Sequence, residues 1–326
     1  MPHKIYIYPM IPHEKRIPPN PYLEDLCNAL NMQHTVVNMN RWMNLGVFDI
    51  ILYLKKADVF YFNFIEDLYK RKYGLIQFIA FPFIVALLKL FRKKIIWTKH
   101  DVSSHSNGLK IPYKIIDGLL ENSATTIVIH TEETYKYISE KRHSKCKYIF
   151  HPFNREYYCH SNEGIKYDVL IWGAMQPYKG ILEFVQFYQS SNLSLRIKII
   201  GFFASKEYYN QVKKHCDNTI NLEDRFVSKD ELRELHEQSK YVLFTYNGAS
   251  VLNSAALVES LSLGNCIIGP NVGAFKELKE KNLVLSYDRL NDIYSILTKT
   301  HNICASDVAD FIKNNSWSGY SNKLFG

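Results

Sequence analysis

The sequence contains few cysteines, and none of them is placed to form a recognisable pair. The six cysteines among 326 residues lie far apart without a C-x-x-C motif, which argues against a zinc site or a disulfide framework. Glycine (14) and proline (11) are too scarce for a collagen-like or low-complexity chain. With 47% apolar and 22% charged residues, the composition also excludes a disordered chain. The length predicts two globular domains, at roughly 150 residues per domain.

Long hydrophobic runs are also absent. The most apolar segment, Gly74–Phe91, is interrupted by Gln77 and Lys89, which leaves Phe78–Leu88 as its continuous core. A helix over that core rises about 16 Å, about half of a hydrocarbon layer of roughly 30 Å. We therefore predict a buried or interfacial helix here. The first residues lead directly into a strand-like run and show no secretory signal, so the predicted location is the reducing cytoplasm.

The positive charge is confined to the first half of the chain. Residues 1–151 carry 21 Lys/Arg and 13 Asp/Glu, whereas residues 152–326 carry 19 of each, so the first half holds the whole net charge of +8. This asymmetry predicts an anionic partner, and the basic flanks Lys70–Lys72 and Arg92–Lys94 suggest an acidic membrane surface at the inner membrane face. Scattered solubilising lysines are the alternative. No aromatic and basic motif of a nucleic-acid-binding module is present, so nucleic acid is not a predicted partner.

Short apolar runs alternate with amphipathic segments throughout the chain. This pattern predicts βαβ units with parallel sheets, an α/β fold of two doubly wound domains. The boundaries are predicted as a first domain over 1–151, a linker over 152–166, a second domain over 167–305 and a C-terminal helix over 306–326 that crosses back to the first domain. The predicted strands are Lys4–Tyr8, His34–Asn38, Val59–Phe62, Lys94–Thr98, Thr125–His130, Lys147–Phe150, Tyr167–Gly173, Leu195–Gly201, Thr219–Leu222, Tyr241–Tyr246, Cys266–Gly269 and Leu283–Ser286.

One motif follows the first strand of the second domain. The strand ends at Gly173, and a short loop then places Lys179 and Gly180 at the start of a helix. A helix N-terminus offers free N–H groups and partial positive charge, and a lysine adds a full charge, so the motif suits a diphosphate. It is neither a G-x-x-x-x-G-K-[ST] loop nor a G-x-G-x-x-G turn. The alternative is an ordinary loop with a surface lysine.

A second motif lies between Thr245 and Leu278. A strand leads into a loop of small residues over Asn247–Ser254, and the following helix carries Glu259. Small residues let backbone amides approach a phosphate, and a carboxylate at this position is suited to accept both hydroxyls of a ribose. The alternative for Glu259 is a solvated helix side chain.

The order of these motifs resembles the GT-B glycosyltransferases of the family 4 type, also known as glycosyl transferases group 1, which build bacterial surface polysaccharides. The strand that ends at His100 and the strand Thr125–Thr131 are similar to strands of that family's first domain. The resemblance implies two Rossmann-like domains that face a central cleft. It also implies retaining, metal-independent transfer of a hexose from a UDP- or GDP-sugar, with no cofactor. The expected acceptor is a glycan or a polyprenyl-diphosphate-linked glycan, as in capsule synthesis.

The resemblance also assigns roles to individual residues. Lys179 would neutralise the diphosphate, Glu259 would bind the ribose, and His100 would lie beside the transferred sugar. The loop 250–254 would offer backbone amides to the phosphate or the sugar. The segment 225–228 would line the nucleobase pocket, and Gly201 and Phe202 would form its wall. The donor-binding residues implied in this way are Gly173, Lys179, Gly201, Phe226, Val227, Ser250, Leu252, Asn253, Ser254 and Glu259.

The sequence departs from the family pattern at two positions. Ala174 stands where the family has arginine, and Val251 stands where it has a first glutamate. Each lost charge-assisted contact is worth roughly 1.5–3 kcal/mol. Another basic residue substitutes, or the donor sugar differs, or the activity is weak.

Other interpretations of the same residues remain open. His100, His105 and His130 are alternative metal ligands, although their spacing matches no known zinc pattern. Asp101 is a candidate general base or a turn cap. A sugar-nucleotide epimerase of the same fold and a non-catalytic nucleotide-sugar-binding protein are the rival functions.

Overall fold

The computed structural model describes residues 2–10, 21–39, 41, 45–100, 110–158, 164–191, 193–247, 252–299 and 301–326. The chain divides into two compact units, one formed by Met1–Asn154 with Asn315–Gly326 and the other by Arg155–Asn314. The α-helices of the described residues are α1 (Tyr22–Asn31), α2 (Asp49–Tyr53), α3 (Gly74–Leu90), α4 (Lys110–Ser123), α5 (Ile181–Ser190), α6 (Lys206–Lys213), α7 (Lys229–Glu237), α8 (Ala255–Ser262), α9 (Gly273–Glu280), α10 (Asp292–Leu297), α11 (Ala305–Asn314) and α12 (Trp317–Phe325).

The first unit contains a parallel sheet of six described strands. These strands are β1 (Lys4–Tyr8), β2 (Thr35–Val36), β3 (Val59–Phe62), β4 (Lys94–Lys99), β5 (Thr126–Ile129) and β6 (Cys146–Tyr148), and their order is β2-β1-β3-β4-β5-β6. All four residues of β3 are fully buried, as expected for a strand covered on both faces. The chain runs from β1 to β2 on one side of β1 and then crosses to β3 on the other side. The strand order therefore reverses between β1 and β3.

Helices cover both faces of this first sheet. Side chains of α3 and α4 such as Phe81 and Ile116 pack with Phe60 on one face. Side chains of α1 and α12 such as Leu26 and Tyr320 pack on the other face. The α/β fold with doubly wound sheets is therefore confirmed for this unit.

The second unit repeats the same architecture. Its strands are β7 (Tyr167–Trp172), β8 (Ile197–Gly201), β9 (Ile220–Asp224), β10 (Ser239–Leu243), β11 (Cys266–Pro270) and β12 (Leu285–Tyr287), all parallel in the order β12-β11-β10-β7-β8-β9. The chain runs from β7 through β8 to β9 on one side and then continues with β10 on the other. The strand order thus reverses between β7 and β10. In doubly wound sheets, ligands bind beyond the carboxyl ends of the strands at such a reversal.

Helix α3 occupies the apolar segment singled out in the sequence. It spans Gly74–Leu90 and carries Pro82 in its interior. Among the described residues, no helix is long and apolar enough to cross a bilayer. Its inner face packs in the core of the first unit, which agrees with the predicted buried or interfacial helix.

The end of the chain forms two helices where the sequence predicts one. Helices α11 and α12 are separated by Asn315 and Ser316, which pair with the extended backbone at Phe153. The Phe153 N–H donates to the Asn315 carbonyl (3.0 Å), and the Trp317 N–H donates to the Phe153 carbonyl (3.1 Å). These bonds replace helical ones, which explains the break. Of this C-terminal segment, residues 315–326 with α12 belong to the first unit, whereas α11 belongs to the second.

Candidate functional site

Two loops meet where the strand order of the second unit reverses. The loop after β7 contains a 3₁₀ turn over Pro177–Lys179, and the loop after β10 begins beyond Leu243. The Asn247 N–H donates to the Tyr178 carbonyl (2.9 Å), and the Thr245 hydroxyl donates to the Lys179 carbonyl (2.5 Å). The two segments singled out in the sequence are therefore joined directly at the carboxyl edge of the sheet.

Gly180 allows this close contact between the loops. Its φ of 67° is in the left-handed region, and a Cβ at this position would lie 2.3 Å from the Thr245 carbonyl oxygen. A side chain would therefore push the two loops apart. The glycine after Lys179 is therefore required for packing, and it is also the N-cap of α5.

Glycines stand at the ends of β7 and β8, so the backbone at this part of the sheet edge carries no side chains. Gly173 follows β7 with a φ of 108°, and its N–H donates to the Ile200 carbonyl (3.2 Å). A Cβ on Gly201 would lie only 1.8 Å from the Gly173 carbonyl oxygen. Only glycine fits at position 201, so both predicted glycines shape the same stretch of the edge.

The side chain of Lys179 lies over this bare edge. Its Nζ is 3.7 Å from the point that a Cβ on Gly173 would occupy and 5.3 Å from the ring centroid of Tyr246. Burial lowers the pKa of Lys179. Among the described residues, no carboxylate lies within ion-pair distance of this ammonium. A partly buried cation without a counter-ion is costly, and a bound anion would relieve that cost.

Glu259 lies on α8, which is anchored to the end of β7. The Trp172 indole N–H at the end of β7 donates to the Ser260 hydroxyl (2.8 Å), the residue after Glu259. The N-terminus of the helix is capped by Ser254, whose hydroxyl accepts from the Leu257 N–H (3.3 Å). Lys179 and the helix of Glu259 are thus both held at the carboxyl end of the same strand.

The Glu259 carboxylate is ion-paired with a residue that sequence reasoning missed. Its Oε1 lies 3.1 Å from Nη2 of Arg155, and the two side chains are 20% and 30% exposed. Arg155 falls in the stretch predicted to be a linker, where no motif marks it. Only the folded chain brings it to α8. The pair engages one carboxylate oxygen, and the Glu259 side chain is not fully buried.

The small-residue loop before α8 is only partly described. Ser250 and Val251 lie outside the described residues. Leu252 is buried, and its carbonyl accepts from the Ala274 N–H (2.9 Å). The Ser254 N–H donates to the Asn253 side-chain oxygen (3.0 Å). This amide is therefore used within the loop, whereas the sequence predicts that it faces a ligand. The contacts of Leu252 and Asn253 therefore fix the course of this loop into α8.

Two exposed aromatic rings stand at the ends of β8 and β9. Phe202 and Phe226 are 57% and 60% exposed, and the Arg225 N–H donates to the Gly201 carbonyl (3.1 Å) between them. Arg225 itself is paired with Glu223 and Glu231, at 2.6 and 2.5 Å. Its guanidinium is thus occupied, and the rings, with Val227 beside Phe226, are the part of this segment that can meet a planar base.

His100 lies at the carboxyl end of β4 in the first unit. It stacks on Phe64, with ring centroids 3.9 Å apart, and its Nε2 is 3.2 Å from the Asn63 side-chain oxygen. Burial, and then the neighbouring His130 and His151, hold its pKa well below the ordinary value. The ring is therefore neutral at neutral pH. It can exchange hydrogen bonds with hydroxyls but carries no charge.

His130 has a structural role in the same cluster. Its Nδ1 lies 2.7 Å from the Ile149 carbonyl and its Nε2 lies 3.0 Å from the Tyr22 hydroxyl, so both ring nitrogens are engaged. Burial lowers its pKa to about 3. Within the described residues no group of three histidines, cysteines or acids is placed to hold a metal. His105 and Asp101, the other two candidates from the sequence, lie outside the described residues.

A cavity of about 560 Å³ opens at the opposite edge of the second sheet. It lies at the amino ends of β7, β10 and β11, lined by Asp168, Lys240 and Cys266 among others. Ligands of doubly wound sheets bind at the carboxyl ends, so this cavity does not belong to the candidate site.

Comparison with known proteins identifies the architecture. HepE of Anabaena, solved with UDP-glucose, is 12% identical with a TM-score of 0.69 over 98% of this chain and 97% of its own. AviGT4, a glycosyltransferase involved in avilamycin A biosynthesis, is 14% identical with a TM-score of 0.62 over 99% and 96%. A glycosyltransferase from Rickettsia africae is 13% identical with a TM-score of 0.62 over 99% and 97%. The chain has the GT-B fold.

Sequence comparison alone finds no relative. No protein-family model matches the chain, and no curated protein matches it. At 12–14% identity the structural similarity establishes the fold only. The candidate site of this GT-B chain therefore depends on its own residues.

Proposed function

We propose that this protein is a glycosyltransferase that takes its sugar from a nucleoside diphosphate donor bound at the carboxyl edge of the second unit. The main support is the position of Lys179. This partly buried cation lies over the backbone of Gly173 and has no carboxylate partner among the described residues. A diphosphate supplies the missing negative charge. HepE, whose fold this chain shares, has been solved with UDP-glucose, which supports the same class of donor.

The remaining residues of the edge fit the other parts of such a donor. Glu259, held by Arg155, presents an oriented carboxylate that can accept the two ribose hydroxyls. Phe202 and Phe226 offer exposed rings for stacking with the base. His100 in the first unit is a neutral hydrogen-bonding group of the kind that holds a sugar hydroxyl.

The proposed transfer needs two contributions from the protein, which are stabilisation of the leaving group's charge and correct positioning of the substrates. A nucleoside diphosphate is a good leaving group, and its departure builds negative charge on the phosphate oxygens. Lys179 stabilises that charge, and the fixed loops hold the donor in place. We infer that transfer retains the anomeric configuration and needs no metal or cofactor, with Lys179 in the role that a metal ion has elsewhere.

We further propose that the acceptor is a growing surface glycan on a polyprenyl-diphosphate carrier. The enzyme then works in the cytoplasm at the inner membrane face. This part rests on the net charge of +8 in residues 1–151 and on the apolar helix α3. An epimerase or a non-catalytic binding protein would share the donor site, but neither requires a surface that reaches a lipid-linked acceptor.

Calorimetric titration with UDP and with GDP tests the donor site and selects the base. We expect Lys179→Ala and Glu259→Ala each to weaken nucleotide affinity roughly 10- to 100-fold, because each removes a charge-assisted contact. Lys281→Ala and Glu280→Ala change exposed residues of the same types at the end of α9 and serve as controls. Affinities of the two site variants equal to those of the controls would remove the site assignment.

The protonation of Lys179 gives an independent readout. Burial lowers its pKa, and an adjacent diphosphate raises that pKa again, so nucleotide binding takes up protons at alkaline pH. UDP affinity therefore falls as the pH rises through the lowered pKa. Calorimetry in two buffers of different ionisation enthalpy measures the uptake, and Lys179→Ala abolishes it. Uptake that persists in the variant contradicts the assignment.

Turnover separates the enzyme classes. A transferase releases UDP or GDP from the donor only when acceptor-containing membrane extract is present. An epimerase converts the sugar nucleotide without acceptor, and a binding protein does neither. Anomeric analysis of the product then tests retention.

A further inference from the structure

Helix α3 presents an apolar stripe to solvent along its whole length. The stripe consists of exposed residues that recur every three or four positions and so lie on one side of the helix: Leu75, Ile76, Ile79, Pro82, Phe83, Ala86 and Leu90. The five large side chains among them are 58–77% exposed. From Leu75 to Leu90 the stripe extends about 22 Å. An apolar patch of this size on a protein surface marks an interaction site.

The opposite face of the helix is the one that holds it in the fold. Phe81, Ile84 and Leu88 are buried in the core of the first unit. Gln77 also lies on this inner face, where its side-chain oxygen accepts from the Val47 N–H (2.9 Å) and its amide donates to the Lys72 carbonyl (2.7 Å). Gln77, one of the two polar residues that interrupt the apolar sequence, is thus turned inward. The outward stripe itself is apolar, with the exposed Lys89 beside it at the carboxyl end.

Positive charge surrounds this stripe at both ends. From residue 68 to residue 100 the chain contains no aspartate or glutamate. The basic residues that flank the helix on the chain are Lys70, Arg71, Lys72, Lys89, Arg92, Lys93 and Lys94. At the carboxyl end of α3, Lys145 lies close enough to Lys89 for the two charges to interact, because burial and then the charges of Arg142 and Lys89 lower the pKa of Lys145. Glu121, which also faces Lys145, is the acidic group there.

We propose that the outward face of α3 docks on an anionic lipid bilayer. The helix lies parallel to the membrane, with its stripe at the boundary between headgroups and acyl chains and its basic flanks among anionic headgroups. Helix α4 packs beside α3, and its residues Ile111 and Ile115 are also exposed. The exposed Tyr73 and Phe91 stand at the two ends of the helix, where aromatic side chains suit the interface.

Charge distinguishes a membrane from a second copy of the chain. A symmetric dimer through this face would bring identical basic flanks together, because a two-fold contact pairs a patch with itself. An anionic bilayer instead complements the exposed members of these flanks, such as Lys72, Lys89 and Arg92. The inference deepens the proposed function, because it identifies the surface that would reach a lipid-linked acceptor.

Vesicle co-sedimentation tests the proposal with the full chain. The probes are vesicles of phosphatidylcholine alone and vesicles with about one third phosphatidylglycerol. We expect binding to the anionic vesicles only, weakened by high salt. Ile79→Ser with Phe83→Ser should reduce it about tenfold or more, since both side chains leave the lipid boundary. Met32→Ser, which changes a similarly exposed apolar residue just after the end of α1, should leave it unchanged.

A charge variant tests the second element of the face. Lys72→Glu with Lys89→Glu changes one base at each end of α3 and should abolish the preference for anionic vesicles. Lys279→Glu with Lys281→Glu makes the same change in charge at the carboxyl end of α9 in the second unit and should preserve the preference for anionic vesicles. UDP affinity in solution should be unchanged in all of these variants, so loss of docking is distinguishable from loss of the donor site.

Three results would overturn the proposal. The first is equal binding of the parent chain to neutral and anionic vesicles, and the second is binding that neither pair of α3 variants reduces. The third is a stable dimer in analytical ultracentrifugation that Phe83→Ser dissociates, which would assign the face to a second copy. Thermal unfolding of each variant confirms that the fold is retained, as expected for exchange of exposed side chains.

Discussion

The carboxyl edges of the two sheets differ in their electrostatic character. In the second unit the edge holds Lys179, a partly buried cation for which the described residues offer no carboxylate partner. In the first unit the edge holds His100 and His130, which burial keeps neutral. Both edges belong to parallel sheets of six described strands with one reversal of strand order.

This difference shows that the shared topology does not determine the chemistry. An edge with an unneutralised cation is complementary to an anion, such as the diphosphate of the proposed donor. An edge with neutral rings, such as Phe64 stacked on His100, is complementary to the apolar faces and hydroxyls of a sugar. The comparison can be tested at one residue of each kind.

The largest expected effect is at Gly201, which shapes the cationic edge. In Gly201→Ala the new Cβ would lie 1.8 Å from the Gly173 carbonyl oxygen, a backbone atom that cannot rotate away. We expect the free energy of unfolding of the second unit to fall by about 3 kcal/mol. UDP binding should be lost, because the end of β7 must move. Urea unfolding, followed by hydrogen exchange of the β8 amides, measures the loss of stability. Calorimetric titration measures the loss of UDP binding.

Gly118 provides the matched control in the first unit. It lies inside α4, and a Cβ there would meet no atom within 4 Å. Gly118→Ala should therefore stabilise the chain by about 0.5–1 kcal/mol through helix propensity, without effect on UDP affinity. If both alanine variants behaved alike, the tight backbone contact at the cationic edge would be refuted.

The next effect is acid sensitivity of the neutral edge. Burial lowers the pKa of His130 to about 3, whereas an unfolded histidine has a pKa of about 6.5. Between these values the unfolded chain binds more protons, so the free energy of unfolding decreases as the pH falls below about 6.5. At pH 5 this residue alone accounts for a loss of about 2 kcal/mol relative to pH 7. Hydrogen exchange of β5, corrected for intrinsic rates, follows this change.

Replacement of the histidine isolates its contribution. His130→Asn lowers stability at neutral pH but should flatten the dependence on pH between 7 and 5. His301→Asn, a partly exposed histidine of the second unit, should leave the slope in β5 unchanged. An unaltered slope in the His130 variant would show that another group is responsible.

The strands were predictable because the sheets are buried on both sides. Continuous apolar runs such as Val59–Phe62 mark such strands directly, and this prediction matches β3 residue for residue. The break between α11 and α12 was not predictable, because it depends on backbone bonds to Phe153, far away in the chain. Sequence patterns report local periodicity but not the distant partner that interrupts it.

The candidate site was predictable where a motif carries it. Gly173, Lys179 and Gly180 lie in one segment, and the chemistry of a lysine before a helix suggests their role. Arg155 was not predictable, since a single arginine in a polar stretch has no signature. The inward orientation of Gln77 on α3 was also hidden, because it depends on a hydrogen bond to the Val47 amide.

The smallest expected effect is at Arg155, which acts on the nucleotide only through Glu259. Arg155→Ala releases the carboxylate that its Nη2 holds at 3.1 Å. Because both side chains are partly solvated, we expect about a fivefold loss of UDP affinity, or about 1 kcal/mol. Calorimetric titration measures this loss. Arg196→Ala removes the exposed pair with Asp168 at the other edge of the same sheet and should leave the affinity unchanged.

A double-mutant cycle shows whether Arg155 acts as a positioning residue. If its whole effect passes through the carboxylate, Arg155→Ala should weaken binding no further in the Glu259→Ala background. The loss should also be smaller with 2′-deoxy-UDP, which lacks one of the two hydroxyls that the carboxylate accepts. Tighter UDP binding by Arg155→Ala would mean that the guanidinium competes with the ribose for Glu259, and additive losses would place Arg155 on the donor itself. In either case the cationic edge would have a different set of binding residues from the one deduced above.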